Sequence, residues 1–254
     1  MAASNQLYET LLLASLPRDE RQRLDRFLKP VTLEVGHTVT VPDNPIEYLY
    51  FPQSAVTSTV HEMSDGSTIE TGIMGIEGLA GVQVWLGQRS TPASTFVQIP
   101  GEGLRISTED FLREVRGKNT PLNDLIAAYV HGFLVLTSLV AACNRLHTVD
   151  ERLCRWLRMC YNRAQRREFP VRHEFLAQML GVHRPTVSTA ANMLQKAGLI
   201  TYHYGNLTIL EPDELVNGAC ECYSQMEAQF EGIFHELWRD RLGQVRSSNS
   251  HLVR

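Results

Sequence analysis

Cysteine is missing from the first 142 residues of this 254-residue chain; the five present are Cys143, Cys154, Cys160, Cys220 and Cys222. They form an odd set without zinc-ribbon spacing, so free thiols in a reducing cytoplasm are expected. Cys220-Glu221-Cys222 reads as a pair with no third ligand nearby, so no metal and no cofactor is expected. Basic residues are nearly absent from the β-rich part of the same half, where Arg89 is the one lysine or arginine between Lys29 and Arg105. The Leu11–Leu13 run is short, follows Glu9 and lacks a basic flank, which argues against a secretory signal. Histidine is also scarce before residue 107, with only His37 and His61. A metal-dependent β-barrel enzyme needs two or three histidines and a carboxylate together, and no nucleophile elbow, phosphate loop or acid pair stands in for them. An enzyme is therefore not expected.

What is present is uneven. Residues 1–144 carry a net charge of −6, residues 145–210 carry +6 and residues 211–254 carry −4. A basic block between two acidic ones is a candidate footprint for a polyanion such as nucleic acid. Length predicts one or two domains, each able to bury a core without disulfides.

Residues 7–28 read as short helices broken at Pro17. From Val31 to Ile106 come short β-rich runs, Val39–Val41, Tyr48–Phe51, Val56–His61, Thr68–Ile73 and Thr95–Ile99. Turn signals such as Asp65-Gly66 separate them, which predicts an antiparallel sandwich, jelly roll or barrel. Ser107 and Thr120-Pro121 then open helices. From Leu125 to Asn144 no residue is charged. Such a stretch can cross a bilayer, but its polar residues and missing flanking anchors favour a buried helix serving as a symmetric dimer seam. Thr148-Val149-Asp150-Glu151 is a capping box before a helix whose arginines, Arg152, Arg155, Arg158 and Arg163, read as a solvated face. Pro212–Leu242 reads as an amphipathic acidic helix or helix pair, with a polar, frayed tail from Arg246.

The decisive segment runs from Arg172 to Ile200. Phe175, Leu176, Met179 and Leu180 give one buried helical face, Gly181 a tight turn, and Val187, Ala191 and Leu194 the inner face of a second helix. Arg184, Thr186, Ser188, Thr189 and Asn192 are left to point outward, as suits a major-groove helix. Gly198 ends that helix, and Leu199–Tyr202 with Leu207–Leu210 form a hairpin wing around Gly205-Asn206.

Through this motif, with Tyr48-Leu49-Tyr50-Phe51-Pro52, Gly75-Ile76-Glu77-Gly78-Leu79-Ala80-Gly81 and the uncharged helix of residues 121–145, the chain resembles the Crp/Fnr family of bacterial transcription regulators from residue 7 to 211. The resemblance implies an α+β fold with an N-terminal antiparallel, jelly-roll-like β-roll sensor at residues 7–118. A long dimerisation helix at 119–147, a winged helix-turn-helix at 148–211 and a C-terminal extension at 212–254 follow. It also implies a cytoplasmic homodimer bound to promoter DNA, with RNA polymerase as a partner, an unidentified small-molecule effector and no membrane. The residues carried over for DNA are Arg172, His183, Arg184, Thr186, Ser188, Thr189, Asn192, Tyr202 and His203. Those for the dimer seam are Leu122, Leu125, Tyr129, Phe133, Leu136 and Val140, and those for an effector are Glu77, Gly78, Arg89 and Ser90.

The departures narrow these expectations. Pro185 and Thr189 stand where the family's glutamate and second arginine read bases, so a different DNA sequence is expected. Thr91-Pro92 replaces the pair that neutralises a cyclic phosphate, and Gly81 the ribose glutamate. With no cation for the buried phosphate, an effector other than cyclic AMP is expected; a shifted loop that brings Arg89 inward is the alternative, and a scaffold or membrane-associated protein a more distant one. The lack of an early cysteine cluster excludes the family's iron–sulfur centre.

Overall fold

The computed structural model describes residues 9–235 and 237–239. The frayed tail expected from Arg246, the end of the last helix near Leu242, and residues 7 and 8 lie outside the described residues.

Two short helices, α1 (Leu11–Ala14) and α2 (Arg18–Asp25), precede the sheets, separated at Pro17 as the sequence predicts. Seven strands follow: β1 (Lys29–Leu33), β2 (Thr38–Thr40), β3 (Tyr48–Pro52), β4 (Val56–Glu62), β5 (Thr68–Met74), β6 (Ser94–Ile99) and β7 (Gly101–Ser107). They make two antiparallel sheets of order β1-β7-β3 and β2-β6-β4-β5. Leu33, Leu49, Phe51, Val56, Val97 and Ile106 are buried among them. The β-rich stretch expected to run to Ile106 ends in β7, which none of the named runs covers although it is the middle of its sheet. Its alternation is diluted by Gly103 and Arg105, which obscures it in the sequence. The β4–β5 hairpin turns at Asp65-Gly66 as expected, with Gly66 at φ +80° and the Asp65 carboxylate accepting from the Ser67 backbone N–H and hydroxyl.

Helix α3 (Thr108–Glu114) is capped by Ser107 and leads to α4 (Pro121–Leu146), capped by Thr120. Helix α4 is long and apolar enough to cross a membrane by length and composition. One face of it, however, lies on β5, α1 and the C-terminal helix α9 (Cys222–Phe234). Leu122, Tyr129, Leu136 and Val140 are buried in that face, and Leu125 and Phe133 pack against its margin. This corrects the assignment of the four buried residues to a dimer seam, since they are covered within the chain. The opposite face carries Ala127, His131, Leu134, Ser138 and Ala141, with Leu134 59% exposed.

The remaining elements are α5 (Val149–Ala164), β8 (Glu168–Pro170), α6 (His173–Leu180), α7 (Arg184–Lys196), β9 (Ile200–His203), β10 (Asn206–Ile209) and α8 (Pro212–Asn217). The capping box at Thr148 and Glu151 is formed. A second correction concerns α5. Arg152, Arg155, Arg158 and Arg163 are buried, not solvated, because β4, β5, α7, α8 and α9 surround the helix. Each buried cation meets polar or soft groups. Arg163 Nε donates to Glu77 Oε1 at 2.7 Å, with Glu227 at 3.5 Å from its Nη1. Arg158 Nε donates to the Tyr223 hydroxyl at 3.1 Å.

The same interface holds Glu70 of β5, which accepts from Trp156 Nε1 at 3.1 Å and from the Ser58 hydroxyl. Burial pushes its carboxyl up to about 7, against the downward pull of those two donors and of Arg155. A folded-state pKa above the unfolded value means that the folded chain holds the extra proton. The stability associated with Glu70 is therefore complete below pH 4.5 and is lost as the pH rises through about 7. Glu70→Gln should flatten the dependence of unfolding free energy on pH across this window, by up to roughly 3 kcal/mol. Urea unfolding at several pH values for both proteins measures it, and parallel profiles would refute it.

Candidate nucleic-acid interface

Helix α6 begins after Arg172 and ends at Gly181, which takes the left-handed conformation at φ +59°. An added Cβ there would lie 2.7 Å from Ile69 Cδ1 of the β4–β5 hairpin, a side-chain end that can move, so it is the left-handed backbone that calls for glycine. After Val182 and the extended His183, Pro185 sits in the first turn of α7, where no N–H is missed. Val187, Ala190, Ala191 and Leu194 bury one face of α7, on α5, α6 and β9.

The opposite face is open. Arg184, Thr186, Thr189, Asn192 and Lys196 are exposed along it, as is His183 just before it. Arg184 forms a 3.0 Å ion pair with Glu174, both side chains being more than half exposed, so the pair is weak and the guanidinium can leave it. Thr189 donates to the Pro185 carbonyl at 3.1 Å, and Asn192 accepts from Gln195 at 3.3 Å. Ser188 differs from its expected role. It is half-buried, with its hydroxyl 3.0 Å from His173 Nδ1, and it braces α7 on α6 instead of facing outward. Burial holds His173 below the usual imidazole range, and Arg184 adds to this while Glu174 opposes it.

The wing is a three-stranded sheet of order β8-β10-β9. Tyr202 places its ring edge-on to His173 at 4.8 Å, and its hydroxyl is buried with no hydrogen-bond partner, so it packs the wing against α6. Burial raises its pKa. His203 remains exposed, and its ring meets that of Tyr204 at 4.4 Å. Tyr204 at the wing tip was not among the sequence candidates, yet it is 96% exposed, at φ +48° beside Gly205. Its signal is an aromatic placed in the hairpin turn. Lys196, also missed, extends the basic edge of α7. Arg172, the residue before α6, is exposed as expected.

The four effector candidates are not joined. The Glu77 carboxylate is taken up by Arg163, Gly78 lies under the Tyr129 hydroxyl, and Arg89 and Ser90 stand on an exposed turn. Elsewhere the fold unites residues that the sequence reading kept apart. Cys143 and His147 at the end of α4 meet Cys220 and Cys222 between α8 and α9, with all four ligand atoms within 4.8 Å of one another. The expectation that the Cys220–Cys222 pair lacks further ligands is thereby corrected. The cause is the return of α9 along α4.

Residues 151–217 match the family model of the Crp-like helix-turn-helix domain. No curated protein matches the chain by sequence. Among solved structures, FixK2 from Bradyrhizobium japonicum superposes with a TM-score of 0.62 at 16% identity, covering 76% of this chain and 98% of its own. A CRP-family transcriptional regulator from Thermus thermophilus gives 0.59 at 16% identity, with 75% and 96% covered. The c-di-GMP-responsive global regulator CLP from Xanthomonas campestris gives 0.57 at 17% identity, with 76% and 99% covered. Residues 151–217 thus form a Crp-like helix-turn-helix domain, and the chain as a whole has the fold of those regulators.

Proposed function

We propose that the protein is a cytoplasmic transcription regulator that binds promoter DNA as a homodimer, inserting α7 into the major groove. The observation that carries this reading is the open face of α7. It is polar and has Arg184 near its N-terminal end, and among the described residues it is exposed apart from the weak Glu174 pair. A helix is wide enough to fill the groove, its first residues reach base edges, and the wing beside it can rest on the backbone. On this reading Arg184, Thr186, Thr189 and Asn192 face bases. His183, Lys196, Arg172, His203 and Tyr204 are available to phosphates and sugars. Ser188 and Tyr202 hold the motif together.

The second half of the reading, the dimer, is supported by the outer face of α4. Small residues and the exposed Leu134 form a stripe on a helix of 26 residues. Such a surface suits close approach of a second copy around a two-fold axis. Two α7 helices would then address half-sites about 34 Å apart. The effector is a small molecule other than cyclic AMP, because Glu77 is committed to Arg163 and no cation stands at Thr91-Pro92.

Selection of duplexes from random DNA should yield a palindromic site. Arg184→Ala should weaken that site by about 1–3 kcal/mol, roughly 5- to 150-fold, while changing random-DNA binding much less. Equal loss on both would reduce Arg184 to a phosphate contact. Absence of any salt-sensitive duplex binding would overturn the function.

Leu134→Glu should convert the dimer to monomer in sedimentation at micromolar concentration and weaken binding to a two-half-site duplex. A wild-type monomer under the same conditions would refute the seam.

A further inference from the structure

We propose that Cys143, His147, Cys220 and Cys222 bind one zinc ion, which clasps the two ends of the helix-turn-helix domain together. Cys143 and His147 are one turn apart at the end of α4, immediately before α5. Cys220 and Cys222 lie immediately after α8. The site thus joins chain positions 77 residues apart at the entry to and exit from the DNA-binding unit.

The geometry fits a single tetrahedral ion. Cys143 Sγ and Cys220 Sγ are 3.4 Å apart, and Cys222 Sγ is 3.6 Å from His147 Nδ1. A zinc with bonds of about 2.3 Å to sulfur and about 2.0 Å to nitrogen holds its ligand atoms roughly 3.3–3.8 Å from one another. The widest spacing in the set stays within 4.8 Å, which calls for only a small contraction and leaves no room for a multi-iron cluster between the sulfurs. Four protein ligands complete the tetrahedron, so the site is closed and suits a structural role. Three thiolates and one imidazole favour zinc among the common divalent ions, by their softness and by this geometry.

Two further observations are independent of the spacing. His147 Nε2 lies 3.1 Å from the Glu221 carboxylate, which orients the ring with Nδ1 toward the sulfurs, the arrangement that supports a metal-bound histidine. Charge is the other. Arg155, 3% exposed, lies beside Cys143 and interacts with its thiol; its Nη1 also faces the sulfurs of Met159 and Met226, and its Nε has no partner among the described residues. Arg152 is buried next to it and bonds only to the Asn144 side chain and the Leu180 carbonyl. Among the described residues no carboxylate forms an ion pair with either guanidinium; Glu70 feels the charge of Arg155, but burial pushes its carboxyl up to about 7. A zinc ion with three thiolates and a neutral imidazole carries a net charge of −1, and this places the missing counter-charge beside the two arginines.

Zinc binding takes three protons from the thiols and involves no electron transfer, so the test is stoichiometry and stability. The full-length protein, purified without chelator, should contain one zinc per chain by mass spectrometric metal analysis. Cobalt loaded after chelation should give the intense visible bands of a tetrahedral thiolate site. Chelation should lower the unfolding midpoint by about 5 °C or more, with recovery on adding one equivalent of zinc. Cys143→Ser and Cys222→Ser should each lose the metal, His147→Cys should retain it, and Cys154→Ser should leave it unchanged. Should the ligand variants fail to fold, chelation and zinc titration of the wild-type protein decide the question. A metal-free protein that takes up neither zinc nor cobalt, a Cys143–Cys220 disulfide in the isolated protein, or iron with acid-labile sulfide would each overturn the proposal.

Discussion

The arrangement of this molecule depends on one fully buried cation. Arg163 at the end of α5 has no exposed surface and lies against Glu77 of the β-roll and Glu227 of α9. It therefore ties together three parts of the chain that are remote in sequence. Gly75 permits the approach, since a Cβ there would come within 2.4 Å of the Arg163 Cβ. A buried guanidinium is tolerable only with its carboxylates in place, and losing one partner of such a group costs about 3–5 kcal/mol. Net stabilisation is not implied, because desolvation offsets much of the attraction. What the group supplies is specificity: α5 can sit on the roll in one position, with Trp156 reaching Glu70 and Asn162 reaching Glu227.

This constraint redistributes charge. The basic block of residues 145–210 has ten lysines and arginines, but the four on α5 are internal. Of the other six, Arg145, Arg172, Arg184 and Lys196 are exposed and Arg166 and Arg167 half-buried; Arg172, Arg184 and Lys196 lie on the helix-turn-helix, with the wing tip beside them. A field from so few exposed cations is modest, so on the proposed reading discrimination by α7 comes from shape and short polar side chains more than from attraction. The Gly75–Gly81 segment is redirected in the same way. Its glutamate serves an arginine of the same chain, and its glycines admit α5 and Tyr129.

The C-terminal extension completes the pattern. By lying along α4 it covers the stripe of Leu122, Tyr129, Leu136 and Val140 together with the sheet, and stacks Phe230 near Tyr129 at 6.4 Å. One face of α4 is thus satisfied within the chain, and only the small-residue face remains for another molecule. The same course brings the thiols of the α8–α9 link to the end of α4.

The sequence by itself determined what local physics controls. Pro17, Thr120-Pro121 and the Thr148–Glu151 box mark helix ends, because caps and imino rings act within a turn of themselves. The glycine turn and inner face from Phe175 to Leu194 give the helix-turn-helix, because period and turn chemistry suffice for it. The tertiary structure decided what covers the uncharged α4, since a weakly amphipathic helix does not name its partner and the return of α9 along it has no local signal. It also decided that the α5 arginines are internal, because burial of a charge depends on carboxylates and sulfurs from elsewhere in the chain. Ser188 and Tyr202 turned inward for the same reason, their partner His173 lying on a different helix. Cys143, His147, Cys220 and Cys222 met only through the return of α9. Residues 77 positions apart carry no mutual spacing signal, and three-dimensional packing is what makes them neighbours.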